Sequence, residues 1–126
     1  MAEAIRILVA DDEQGLRAFV AEALADDGHA VAQAADGQEA ATLLARETFD
    51  LLITDVVMPE MNGLDTLDVL QFDPVTKKIP VIAFTNLSDP QYQEQAMQRG
   101  AVKFIIKSQI ENNQLIRTVN DIISAY

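Results

Sequence analysis

The sequence has no cysteine, a single histidine, and nine basic residues against twenty acidic ones. Without cysteine there is no disulfide framework and no thiolate nucleophile, which fits a reducing compartment, and any chemistry must use other groups. No stretch approaches the ~18 uninterrupted apolar residues of a membrane span. The opening MAEAIRILVADDE turns acidic too early for a secretory leader. The expectation is a cytoplasmic protein with no membrane association. A formal net charge of −11 repels phosphate backbones and anionic lipid, so direct nucleic-acid binding is not expected. No linker rich in proline, glycine or serine interrupts the chain, and no short repeat is present.

What is present suffices for one domain over residues 1–126, because 49% of the residues are hydrophobic and can build one core. The charge is uneven, net −9 over residues 1–55 and net −2 over residues 56–126. Chance variation within one gene accounts for this most simply; an engineered junction of two related parents near Asp55 is the sharper alternative.

Strand-like and helix-like patterns alternate from end to end, the signature of βα units around a parallel sheet. Strands are predicted over residues 5–10, 30–34, 50–55, 81–85 and 102–106. Helices are predicted over about 13–27, 37–47, 64–72, from Pro90 to Gly100, and over 110–124. In the first helix Leu16, Phe19, Val20, Ala23 and Leu24 are placed inward by their spacing, and in the last Leu115, Ile116, Val119, Ile122 and Ile123. Gly28 supplies a helix stop. The first, third, fourth and fifth strands are nearly continuous apolar runs, as expected when helices cover both faces. The fold class is therefore α/β, a three-layer doubly wound sandwich of five parallel strands and five helices, with its ligand site beyond the carboxyl ends of the strands.

Asp11, Asp12 and Glu13 follow the first strand, Asp55 ends the third, Thr85 ends the fourth and Lys107 follows the fifth. Each has an ordinary explanation by itself. Asp11 and Asp12 suit helix capping, Asp55 a loop surface, Thr85 a β-branched strand position, and Lys107 a solvated charge. Their convergence on one sheet edge favours chemistry. Crowded carboxylates raise a pKa or recruit a cation, and hard oxygen donors suit Mg²⁺. A hydroxyl and a mobile ammonium can hold the other oxygens of a transferring phosphoryl group.

The segments ILVADDE, ITDVVMPEMNG, DPVTKKIPVIAFT and RGAVKFIIK together resemble the CheY-like receiver domain of bacterial two-component response regulators, over essentially the whole chain. The resemblance implies a flavodoxin-like sheet of order 2-1-3-4-5, with Asp55 as phosphoacceptor. It further implies Mg²⁺ held by Asp11, Asp12, Asp55 and the backbone carbonyl of Val57, with Thr85 and Lys107 as the hydroxyl and lysine of the site. Phe104 is implied as the switch aromatic working with Thr85, its ordinary reading being a core side chain. The implied partners are a histidine kinase or phosphotransfer protein, with acetyl phosphate as a small donor. A downstream effector would meet the surface of the fourth helix, fifth strand and fifth helix. Such a chain is a phosphoacceptor that also loses its own phosphoryl group, not a turnover enzyme.

Four departures from the family pattern carry expectations. Ser108 follows Lys107 where proline is common, which leaves the lysine less tightly positioned. Asn86 follows Thr85 where a small residue is usual, which narrows access. Val57 and Leu87 are apolar where some members carry water-orienting side chains, so slow autodephosphorylation is expected. AVKFIIK lacks the acidic pair that accompanies dimerisation through charged contacts, so a monomer or weak dimer is expected. His29 is read as solvated in a polar turn, and Gln14, Gly15 and Ala18 as candidate kinase contacts. No output domain is expected within these residues after the last helix, which suits either a single-domain regulator or a receiver cut from a longer protein.

Other functions fit less well. A haloacid dehalogenase-type phosphohydrolase needs a second acid where Val57 stands. A flavin site needs a phosphate-binding loop where DDEQG stands. A receiver-like interaction module independent of phosphate remains the alternative.

Overall fold

The computed structural model describes residues 5–56, 63–86, 90–109 and 113–125. Five strands, β1 (Arg6–Ala10), β2 (Ala30–Ala34), β3 (Leu51–Thr54), β4 (Val81–Thr85) and β5 (Lys103–Ile106), form one parallel sheet of order β2-β1-β3-β4-β5. They alternate with α1 (Gln14–Asp26), α2 (Gly37–Arg46), α3 (Gly63–Phe72), α4 (Pro90–Gln98) and α5 (Gln114–Ala125). The strands fall within a residue of their predicted bounds. The chain steps from β1 outward to β2, then returns to lay β3 on the other side of β1. That reversal opens a crevice at the β1/β3 edge.

Side chains alternate across each strand and so divide the core into two layers. Leu8, Leu52, Val81 and Ala83 pack on one face with Ala40 and Leu44 of α2, Leu67 and Leu70 of α3 and Ala96 of α4. Ile7, Val9, Ile53, Ile82 and Phe84 pack on the other with Val20 and Leu24 of α1 and Leu115 and Val119 of α5. Both faces are covered, which is why the strands need no polar alternation.

Local signals place the helix ends. The Asp36 carboxylate accepts the Glu39 N–H at 2.8 Å and caps α2. Gly28 and Gly100, at φ 97° and 100°, turn the chain out of α1 and α4 in the left-handed region that glycine enters without a Cβ penalty.

Two expectations are corrected. Phe19 is 60% exposed, because α1 is rotated to bury Val20, Ala21 and Leu24 instead of the Phe19 and Ala23 side of the stripe. His29 is buried, not solvated. The turn after Gly28 folds its ring under the start of β1, where Nδ1 accepts the Ile5 N–H at 3.2 Å and Nε2 lies 3.4 Å from Asp27 Oδ2. Burying the ring satisfies a backbone donor at the sheet's amino edge. That edge is the one opposite the acidic strand ends.

Candidate functional site

Strand register brings the acids together. Ala10 of β1 pairs with Thr54 of β3, so the next residues, Asp11 and Asp55, leave the sheet side by side. The Asp55 N–H donates to the Ala10 carbonyl at 3.0 Å, and the Asp11 N–H to the Ala34 carbonyl at 3.0 Å. Both carboxylates are therefore anchored by sheet backbone and are buried, whereas Asp12 is exposed.

Lys107 reaches this pair from the far side of β4. Its Nζ lies 2.5 Å from Asp11 Oδ2, 2.8 Å from Asp55 Oδ2 and 4.0 Å from Glu13 Oε1, and its side chain is 4% exposed. The ammonium also sits 5.8 Å from the centre of the Phe84 ring, within range of a cation–π contact. The ammonium expected from sequence to serve the site rests between two carboxylates.

Asp11 divides its oxygens between two jobs. Oδ1 accepts the Glu13 N–H at 2.9 Å and shapes the turn into α1, while Oδ2 faces Lys107. The Glu13 N-cap makes no side-chain capping bond. Arg17 of α1 donates from Nη1 to the Asp11 carbonyl at 2.8 Å and from Nε to Gln33 Oε1 at 3.1 Å, which ties the acidic turn to β2. Sequence reasoning missed Arg17, although its place one helical turn after an acidic loop is a usable signal.

Burial pushes the Asp11 pKa up, and the nearby Asp55 charge adds to this. The Lys107 hydrogen bond and the Glu13 N–H oppose it without cancelling it. For Lys107, burial acts downward, but hydrogen bonds to Asp11 and Asp55 outweigh it and hold the pKa above the usual lysine value. The two directions express one imbalance: a single ammonium serves two buried carboxylates, so the cation is over-satisfied and the acid under-satisfied.

Oxygens of Asp11, Asp12 and Asp55 can lie within 4.8 Å of one another. Three carboxylates and one ammonium leave an excess of two negative charges, and all the donors are hard oxygens. This set fits a divalent cation of the Mg²⁺ kind. Val57, whose carbonyl was expected as a further ligand, lies outside the described residues, as does Leu87.

Thr85 is buried at the end of β4 and pairs with Ile106, the residue before Lys107. Ala83 pairs with Phe104. With a side-chain period of two, Thr85 and Phe104 share one face of the sheet. Phe104 is only partly buried, against the layer covered by α2, α3 and α4. The Ser108 N–H donates to Asn86 Oδ1 at 3.1 Å, joining the segments after β4 and β5. A cavity of about 740 Å³ opens at the opposite edge of the sheet, between Leu44, Phe49, Val69, Val75 and Ile79, and no acid of the cluster lines it. The acidic cluster therefore lies apart from that cavity, at the carboxyl edge of the sheet.

A family model described as the response regulator receiver domain matches residues 7–120. A gliding motility regulatory protein of Myxococcus xanthus is 30% identical over 94% of this chain. The chain spans only 15% of that relative's length. Among solved structures, the chemotaxis response regulator CheY4 of Vibrio cholerae matches with a TM-score of 0.87 at 28% identity, covering 95% of this chain and 99% of that one. The receiver domain of a sensor histidine kinase from Pseudomonas aeruginosa PAO1 matches with a TM-score of 0.87 over 97% of this chain and 99% of its own. At 21% identity that likeness is one of fold, and that structure carries a magnesium ion coordinated in its active site cleft.

Proposed function

Since the chain belongs to the response regulator receiver domain family, we propose that Asp55 is its phosphoacceptor, charged by a phosphohistidine or by acetyl phosphate. The observation that carries this is the Asp55 carboxylate, anchored through Ala10, adjoining Asp11 and bridged by Lys107 at the carboxyl edge of the sheet.

Asp55 attacks phosphorus in line. A new O–P bond forms as the bond from phosphorus to the donor nitrogen or oxygen breaks, and the electron pair leaves with imidazole or acetate. Asp11, Asp12 and Asp55 would hold Mg²⁺, which would supply neutralisation of the negative charge that gathers at phosphoryl transfer. Lys107 turns its ammonium from Asp11 to the arriving phosphoryl oxygens and remains beside Asp55. The buried Thr85 hydroxyl donates to a further oxygen. Phe104, on the same sheet face and only partly buried, moves into the space that Thr85 leaves. That movement changes the surface of α4, β5 and α5 offered to an effector.

Receiver domains are phosphoacceptors that meet histidine kinases and downstream effectors. Our reading for this chain adds that Asp55 carries the phosphoryl group and Thr85 and Phe104 carry the switch. Intact mass after incubation with acetyl phosphate and Mg²⁺ tests it. One adduct of about 80 Da is expected, lost in Asp55→Asn and in the metal-free sample. A folded protein without the adduct would reject the reading and leave the phosphate-independent interaction module.

A further inference from the structure

We propose that Asn86 is a positioning residue for Lys107, acting through the hydrogen bond that its Oδ1 accepts from the Ser108 N–H at 3.1 Å. This rests on the phosphoacceptor reading for its consequence, though not for its physical basis.

Lys107 has to satisfy two demands. Its ammonium must lie between Asp11 and Asp55, and its backbone must leave β5 at the height that lets the side chain span the neighbouring strand. Strand pairing fixes the backbone only as far as Ile106, opposite Thr85. Beyond that point the chain enters a short 3₁₀ turn over Lys107–Gln109. Past the ladder the Ser108 N–H is tied to Asn86, which directly follows Thr85. The bond therefore extends the β4–β5 register by one side-chain link. It requires a residue at 108 with an N–H to give, which a proline would not have.

The link also joins the two side chains that must respond to one phosphoryl group. Thr85 and Lys107 stand immediately before Asn86 and Ser108, so a shift of one segment pulls on the other. In the metal-free protein the same link favours Lys107 over an incoming cation, because both use Asp11 and Asp55. Releasing it makes displacement of the ammonium easier and makes the ammonium a poorer ligand for the phosphoryl oxygens. These two effects have opposite signs, and general loosening of the fold does not produce that pattern.

The test compares wild type, Asn86→Ala and Asn86→Asp, the last keeping an acceptor oxygen in place. In metal-free protein, NMR should show faster Ser108 amide exchange and a mobile Lys107 ammonium in Asn86→Ala, both restored in Asn86→Asp. Calorimetric titration with Mg²⁺ should show tighter binding by Asn86→Ala, by about twofold to tenfold, the range expected for one lost hydrogen bond. The rate of adduct formation with acetyl phosphate should fall by a similar factor. If Lys107 mobility is unchanged while Ser108 exchange rises, or if Mg²⁺ binding and adduct formation weaken together, the proposal is overturned. A wild-type chain that takes no adduct counts against the phosphoacceptor reading, and the metal-free NMR arm still decides the role of Asn86.

Discussion

The ammonium of Lys107 lies 2.8 Å from the carboxylate of Asp55, although the two residues leave strands that are separated by the whole of β4. The contact spans 52 residues of sequence. It makes Lys107 the counter-charge of the two buried carboxylates. Several expectations rest on this arrangement.

Asp11→Asn should raise the melting temperature of the metal-free protein and weaken Mg²⁺ binding. Burial raises the Asp11 pKa, so the folded state disfavours its charge, and the neutral isostere avoids that cost. A cation ligand is lost at the same time, at a cost of at least about tenfold in affinity by comparison with outer-shell losses. Thermal melts and calorimetry with and without Mg²⁺ check the two halves. A lower melting temperature in the absence of metal would contradict the electrostatic argument.

Lys107 sets a stability change at high pH. Its folded pKa lies above the unfolded value of 10.5, so its contribution is complete below that value and is lost as pH rises through the folded pKa. Alkaline titration of wild type and Lys107→Met should show the difference between them shrinking as pH rises above the unfolded value of 10.5 and vanishing once the folded pKa is passed. A difference that stays constant across it would mean that the ion pairs contribute nothing.

Mg²⁺ should stabilise the folded chain by mass action, by about 2.7 kcal/mol at a hundred times its dissociation constant. Asp12→Asn should lose most of this without losing metal-free stability, because Asp12 is exposed and no ion pair involving it is recorded among the described residues. Chelator titration of the melting temperature measures it, and an equal Mg²⁺ effect in the variant would remove Asp12 from the cation site.

The acyl phosphate on Asp55 should persist for minutes or longer. Val57 and Leu87 are apolar and offer no group to align an attacking water. Decay of the adduct after donor removal reads this directly, and replacing either residue by Asn or Glu should shorten the lifetime. Loss within seconds at room temperature would sink the expectation.

Kinase preference should follow the exposed side of α1. Gln14, Gly15 and Ala18 are exposed there, and Phe19 adds a 60% exposed aromatic that the sequence pattern had placed in the core. Exchanging these residues should redistribute phosphotransfer rates across a panel of kinases while leaving acetyl phosphate reactivity unchanged. Unaltered rates across the panel would place recognition elsewhere.

Much of the fold was legible because its signals are local. Apolar runs ending in Asp11, Asp55, Thr85 and Lys107 mark the strands and their carboxyl ends in the same residues, and Gly28 and Gly100 mark two helix stops. The stripe of α1 was misread because Phe19 and Ala23 satisfy the same period as the true face, and only packing on the sheet selects between them. His29 was misread because its partner, the Ile5 N–H, lies 24 residues away.

By itself the sequence determined the alternation of strands and helices, the apolar faces and the residue types at the strand ends, since these follow from chain periodicity and local backbone chemistry. It also determined that every acid of the site would sit at one edge, once the strands are parallel. Tertiary structure alone decided that Lys107 is buried between Asp11 and Asp55, that Arg17 holds the Asp11 carbonyl, and that Asn86 grips the Ser108 N–H. Those contacts depend on strand order, register and burial, which join residues far apart in the chain and which no local pattern encodes.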